Sequence, residues 1–297
     1  MLSRRRGDRR GFSLAEIIVA TTVLSVLGLA FTQLMLTQGR FSDQQNAQRG
    51  ARAVARQSMN VLLSELRLVQ DSGFVDSAAT DGSAIRVLVP YRFGLSCDDA
   101  SGGSKTVVNF LPVDSLMNAQ ARYYGYAWRA TSGRYNKVFL SDAGGLAPAS
   151  STSSSQCNAS GTGSTEGVVA PTIAGRSGSI LDVRPMGPTT AGVPVFLFQR
   201  VTYTFKASTA FAGKRGLYRV ATGGTEEELV APFDTTARFK YWKQGATAST
   251  VAPPALDSIR GVDVVLAGLS TYVPSGKSSP ARSTLVTSIF FKNVRSY

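Results

Sequence analysis

The sequence predicts an α+β protein: a long N-terminal helix, its first half membrane-spanning, packed on a head of mostly antiparallel β-sheet. Three observations predict it. Phe12 to Leu36 is an apolar run of 25 residues with a single charge, Glu16. Within residues 51–69, Ala55, Met59, Leu62, Leu66 and Val69 recur at alternating spacings of four and three, one face of an α-helix. Beyond residue 70 the chain turns to short runs rich in Val, Ile, Tyr and Phe, several of them alternating with period two.

As a helix the apolar run is about 37 Å long at ~1.5 Å per residue, enough to cross a hydrocarbon layer of ~30 Å. Arg4, Arg5, Arg6, Arg9 and Arg10 precede it against one acid, Asp8. Arginines on that side predict a cytoplasmic N-terminus and a head across the membrane. A secretory signal fits poorly, because its apolar core is shorter and ends at small residues before a cleavage site. An ordinary anchor leaves Glu16 unexplained, since a carboxylate in hydrocarbon costs about 2.5–3.5 kcal/mol on insertion scales.

No proline stands between Phe12 and Pro90, so the pattern predicts one helix from about Ser13 to Val69, with Gly73 as its stop. Leu63 widens the apolar stripe, and Arg52, Arg56 and Arg67 occupy other positions. Gly28, Gly39 and Gly50 recur every 11 residues, which returns to nearly the same helix face. They form either a seam for close helix packing or merely loosened points without a common role.

Ten strands are expected in the head: 85–91, 106–111, 122–129, 136–140, 179–184, 195–206, 216–221, 237–242, 259–266 and 284–294. Val201, Tyr203 and Phe205 share one side of their strand, as do Leu285, Thr287, Ile289 and Phe291 of theirs. Residues 144–167 are Ser/Thr/Gly-rich and predict a disordered loop inside the head. The organisation is then a basic leader (1–11), a transmembrane segment (12–36), its amphipathic continuation (37–70) and a β-rich head (71–297).

Composition narrows the chemistry. With no histidine, triads that use His as base, His-containing zinc sites and imidazole switches are excluded. The two cysteines, Cys97 and Cys157, cannot build a thiolate-only metal site within one chain. In an oxidising compartment a Cys97–Cys157 disulfide is chemically allowed; the other reading is two free thiols. Asp98-Asp99 lacks the spaced oxygen ligands of a calcium loop, and Glu226-Glu227-Glu228 reads as a solvated edge. No phosphate-binding loop, dinucleotide fingerprint or nucleophile elbow occurs. The expectation is a non-enzyme without cofactor or metal.

Around Gly11 the sequence resembles the class III signal of type IV prepilins and pseudopilins. Its elements stand here as a basic leader, then Gly11, Phe12, Ser13, Leu14, Ala15 and Glu16, then the long apolar run. Ala15 occupies a position where a larger aliphatic residue is commoner. The resemblance implies cleavage between Gly11 and Phe12 by a prepilin peptidase, with N-methylation of Phe12. It also implies an assembly role for Glu16, whose carboxylate would meet the N-terminal amine of a neighbouring subunit. The C-terminal third is similar to large PilW-like minor pilins and J-type minor pseudopilins. Val201-Thr-Tyr203, Leu217-Tyr-Arg219, Leu229-Val230 and Phe239-Lys-Tyr241 stand in that family's order, and the Phe290-Phe291-Lys-Asn-Val-Arg ending is similar too. The likeness covers the arm and roughly the last hundred residues; 85–190 lie outside it.

A minor pilin of this kind would sit in the inner membrane and join a priming or tip complex of a type IV pilus. Its partners would be the peptidase, other minor and major pilins through the N-terminal helix, and the inner-membrane assembly platform. Two alternatives remain open: a minor pseudopilin of type II secretion, and a competence pilin that touches DNA. The net charge of +13 bears on the last. Of it, +4 lies in the leader, +2 in the arm and +7 in the head. Arg122-Tyr-Tyr-Gly-Tyr-Ala-Trp-Arg129 and Arg238-Phe-Lys-Tyr-Trp-Lys243 interleave cations with aromatics, a pattern that can stack bases. On a strand, however, Phe239 and Tyr241 are more simply core, with Arg238, Lys240 and Trp242 on the other face.

Overall fold

The computed structural model describes residues 13–70, 74–97, 105–111, 121–139, 146–148, 172–173, 176–177, 179–184, 187–188 and 190–291. The chain is α+β. Among the described residues a single α-helix, α1 (Leu14–Leu66), is followed by strands that form a large antiparallel sheet. In chain order they are β1 (Val75–Ala78), β2 (Ala84–Ser96), β3 (Thr106–Phe110), β4 (Gly125–Arg129), β5 (Tyr135–Phe139), β6 (Leu146–Pro148), β7 (Thr172–Ile173), β8 (Arg176–Ser177), β9 (Ser179–Val183), β10 (Pro194–Ala207), β11 (Arg215–Ala221), β12 (Glu227–Phe233), β13 (Arg238–Lys243), β14 (Ile259–Leu269) and β15 (Arg282–Phe290). The hairpin β7–β8 stands apart from the main sheet.

The expected helix ends three residues early, at Leu66, and Gly73 lies outside the described residues. Eight of the ten expected strands match within a few residues. The other two, in β2 and β15, are displaced further: β2 runs on to Ser96, and β15 stops at Phe290. Within the expected disordered loop, Leu146–Pro148 instead form β6, paired with β9. The outer edge of β9 supplies backbone partners that a polar stretch cannot supply for itself. The rest of that loop lies outside the described residues.

Two long strands organise the sheet. β2 and β10 pair from Pro194↔Leu95 to Thr204↔Ala84, with a register shift between Leu197 and Phe198. Opposite that shift stands Pro90, which has no N–H to give to the ladder and favours a bulge there. On either side of the irregularity the strands take different neighbours. Toward its N-terminus β10 pairs with β4 and β2 pairs with β3. Toward its C-terminus β10 pairs with β11, and the start of β2 pairs with β1. From β11 the sheet continues through β12 and β14, and β14 also pairs with β13 and β15.

The C-terminal half of α1 docks on β14, β15, β12 and β2. Its buried positions are Ala47, Ala51, Ala55, Ser58, Leu62 and Leu66. Ser58 takes the centre of the stripe, and Met59 packs at its margin. The serine is tolerated because its hydroxyl donates to Val54 O at 2.8 Å. Burial of Leu62, Leu66 and Val69 contributes about 1.5–3 kcal/mol each by area. Val201, Tyr203, Phe205, Leu217, Val230, Phe239 and Tyr241 of the sheet are all buried, in the same hydrophobic core as Ala55, Leu62 and Leu66 of the helix.

Small residues set the helix–sheet distance. A Cβ on Gly268 of β14 would lie 2.4 Å from Ala51 O. Contact this close needs glycine on the strand and alanine on the helix. Gly28, Gly39 and Gly50 meet nothing within 4 Å, so they do not line the helix–head contact. Polar locks secure both ends of the docked segment. At the head end, Glu65 meets Arg219 and Tyr203. At the end nearer the apolar segment, Tyr272 Oη donates to Asp43 O at 3.1 Å, and Ser275 N–H donates to the Asp43 carboxylate at 2.6 Å. The Ser275 amide holds the Asp43 carboxyl below its ordinary pKa.

Candidate assembly site at the start of the helix

α1 begins at Ser13, whose extended backbone makes it the N-cap. Its Oγ accepts from Glu16 N–H at 3.2 Å, and its own N–H donates to Glu16 Oε2 at 3.0 Å. This reciprocal pair is a capping box, and it satisfies two donors that an apolar helix start would otherwise leave open. The positive end of the helix dipole also favours a carboxylate here. Glu16 is thus positioned on the first turn, at the edge of an apolar surface formed by Val19, Ala20, Val23, Leu24 and Leu27. A carboxylate offers about four acceptor positions, so capping leaves capacity for a cation.

The surface around it is exposed. Leu14, Ile17, Ile18, Val19, Leu24, Leu27 and Leu36 are each more than half exposed. Among the described residues α1 is the helix long and apolar enough to cross a membrane. Its hydroxyls are closed internally: Thr21 donates to Ile17 O, Ser25 to Thr21 O and Thr32 to Gly28 O. Within hydrocarbon such internal bonds are what make hydroxyls tolerable. Gly11 and Phe12, the expected cleavage and methylation positions, lie outside the described residues.

The cysteines lie far from this end. Cys97 follows β2, is buried against Val107 and Ile180, and is disulfide-bonded. Cys157 lies outside the described residues, as do Asp98 and Asp99. No group of three or more potential metal ligands occurs among the described residues. In the glutamate run, Glu226 pairs with Lys206, and Glu228 accepts from Ser208 and Thr209. Burial pushes Glu228 up, but these hydrogen bonds bring it below its ordinary pKa.

The aromatic–cation segments divide between core and partly exposed rings. Tyr126, Phe239 and Tyr241 are fully buried. Tyr124 lies under the Arg200 guanidinium, 4.9 Å from its ring centre. Trp242 does lie on the outer face, where its Nε1–H donates to Asp263 at 2.6 Å. Two features escaped the sequence reading. The S-x-x-E spacing of Ser13 and Glu16 signals the capping box. The Glu65–Arg219 lock has no local signal, its members being 154 positions apart. The chain matches no family model, no curated protein and no solved structure.

Proposed function

We propose that this chain is a structural subunit of the minor pilin or pseudopilin kind, processed after Gly11 and assembled through α1 at the tip or priming complex of a type IV pilus. One observation carries the reading. A basic leader and the Gly11-Phe12-Ser13-Leu14-x-Glu16 series lead into a continuous helix that is bare and apolar up to Leu36 and docked from Ala47 onward. A bare apolar half on a rigid arm suits a segment that passes from lipid to the packed core of a filament. Glu16 serves that transfer, because a carboxylate in an apolar medium favours a site where it meets a cation.

The leader arginines orient the chain in the inner membrane with the head outside the cytoplasm. The peptidase, other pilins and the assembly platform are its partners in this reading. A minor pseudopilin of type II secretion rests on the same observation. A DNA-touching competence pilin has less behind it, because Tyr126, Phe239 and Tyr241 are buried and Tyr123, Tyr124 and Trp128 pack against the core. The test is Glu16→Ala in cells that assemble the filament. The variant should remain in the membrane fraction and be lost from sheared filaments. Incorporation equal to the natural chain would refute the role of Glu16.

A further inference from the structure

The β14–β15 connection, residues 270–281, reaches back along α1 toward the apolar segment. Tyr272 and Ser275 hold it to Asp43, and a Cβ on Gly276 would approach Arg40 Cδ to 3.9 Å. The loop is braced internally. Ser270 Oγ donates to Tyr272 O at 2.6 Å and accepts from Ala281 N–H at 2.9 Å, and Lys277 N–H donates to Pro274 O at 3.0 Å.

Its height above the bilayer follows from helix geometry. At ~1.5 Å per residue, Arg40 lies about 6 Å and Asp43 about 10 Å beyond Leu36. The headgroup layer adds roughly 5–7 Å to each side of the hydrocarbon. The loop therefore sits at the level of the headgroups and just above them. Its side chains suit that level. Tyr272 is 42% exposed and Val273 47%, and Phe41 on the helix is 63% exposed. Arg40 and Lys277 add two exposed cations, and the acid Asp43 is already engaged by Ser275. Exposed aromatic and apolar groups next to cations match an interface bearing anionic lipid.

We propose that loop 270–281 is a second membrane contact. Tyr272, Val273 and Phe41 enter the headgroup layer of the leaflet facing the head, and Arg40 and Lys277 meet anionic lipid. The inference rests on the membrane-spanning reading of residues 12–36. With α1 fixed at one end and the loop at the other, the head is held at a set angle on the bilayer until the subunit is withdrawn.

The experiment uses the full chain, one copy per nanodisc of phosphatidylethanolamine and phosphatidylglycerol. A fluorophore is placed on Val273→Cys, on Leu27→Cys, or on Ser132→Cys in the β4–β5 turn. Lipids carry a nitroxide quencher on the headgroup or mid-chain. Val273→Cys should lose emission to the headgroup quencher, Leu27→Cys to the mid-chain quencher, and Ser132→Cys to neither. Adding Lys277→Glu should weaken quenching at Val273→Cys. If Leu27→Cys is quenched while Val273→Cys behaves as Ser132→Cys does, the loop contact is overturned and the span stands. If Leu27→Cys also escapes, the spanning reading falls and the inference with it. Protection of Val273→Cys from a water-soluble maleimide without lipid quenching would assign the loop to a protein neighbour and overturn the proposal.

Discussion

Glu65, in the last turn of α1, accepts two hydrogen bonds from Arg219 of β11: Nη2 to Oε1 at 2.8 Å and Nε to Oε2 at 3.2 Å. A carboxylate at a helix C-terminus is opposed by the dipole, so the guanidinium compensates twice, for the charge and for its place. Tyr203 Oη donates to the same carboxylate. The bridge joins arm to sheet at the point where the helix ends, which fixes the direction in which the apolar half projects.

The first prediction concerns that bridge. Its partners are 24% and 23% exposed, so solvent screening reduces what it contributes. Arg219→Ala should destabilise the full chain in detergent by about 1–2 kcal/mol. Arg219→Lys should recover only part of that, because a lysine cannot make the two-pronged contact. Urea midpoints followed through Trp128 and Trp242 fluorescence measure both. A double-mutant cycle with Glu65→Ala that shows no coupling would remove the bridge from the account.

The second concerns the seam between helix and sheet. Gly268→Ala places a Cβ 2.4 Å from a backbone oxygen, which no rotamer change relieves. It should cost about 1–3 kcal/mol, as overpacking does. Gly50→Ala meets open space and should be neutral, or stabilising by up to about 1 kcal/mol through helix propensity. The same denaturation series compares the two. Equal losses would mean that the helix docks elsewhere.

The third concerns alkaline pH. Burial, with the Glu65 charge adding to it, raises Tyr203 well above its ordinary pKa. Burial pushes Tyr91 up to about 12 and raises Tyr123, Tyr126 and Tyr241 too. In the unfolded chain each titrates near 10, so above that pH unfolding releases protons. The stabilisation is therefore whole below about pH 10 and is lost as pH rises through the folded values, at up to about 1.4 kcal/mol per tyrosine per pH unit. Urea midpoints should hold between about pH 8 and 9 and fall steeply above about pH 10. More phenolate absorbance before unfolding than the chain's other five tyrosines can supply would contradict the burial of these rings.

Much of this architecture was legible because its periodicities are local. The arm's proline-free run and four-three spacing located α1, and alternation assigned Phe239 and Tyr241 to the core. Met59 packs against the core as its spacing predicts, but the fully buried position beside it is Ser58, which the apolar pattern does not mark and whose hydroxyl is closed on Val54 O. β12 was not set out as a strand because glutamates open it and Pro232 interrupts it, although Leu229-Val230 marked its middle. β1 and β6 are too short to carry a period. At the candidate site, Glu16 was legible from its solitude in an apolar run. The bonds of Asp43 and Glu65 to the head were not, because the nearest of those partners, Tyr203, stands 138 positions from Glu65.

The central claim is that this chain is matured after Gly11 and assembled through the exposed half of α1. The most direct measurement is the mass of its N-terminal peptide after co-expression with a prepilin peptidase. The account predicts a mature chain beginning with N-methylated Phe12, and loss of cleavage in a Gly11→Val variant. A chain that retains Met1 or the leader arginines, or is cut elsewhere in the apolar run, would contradict it.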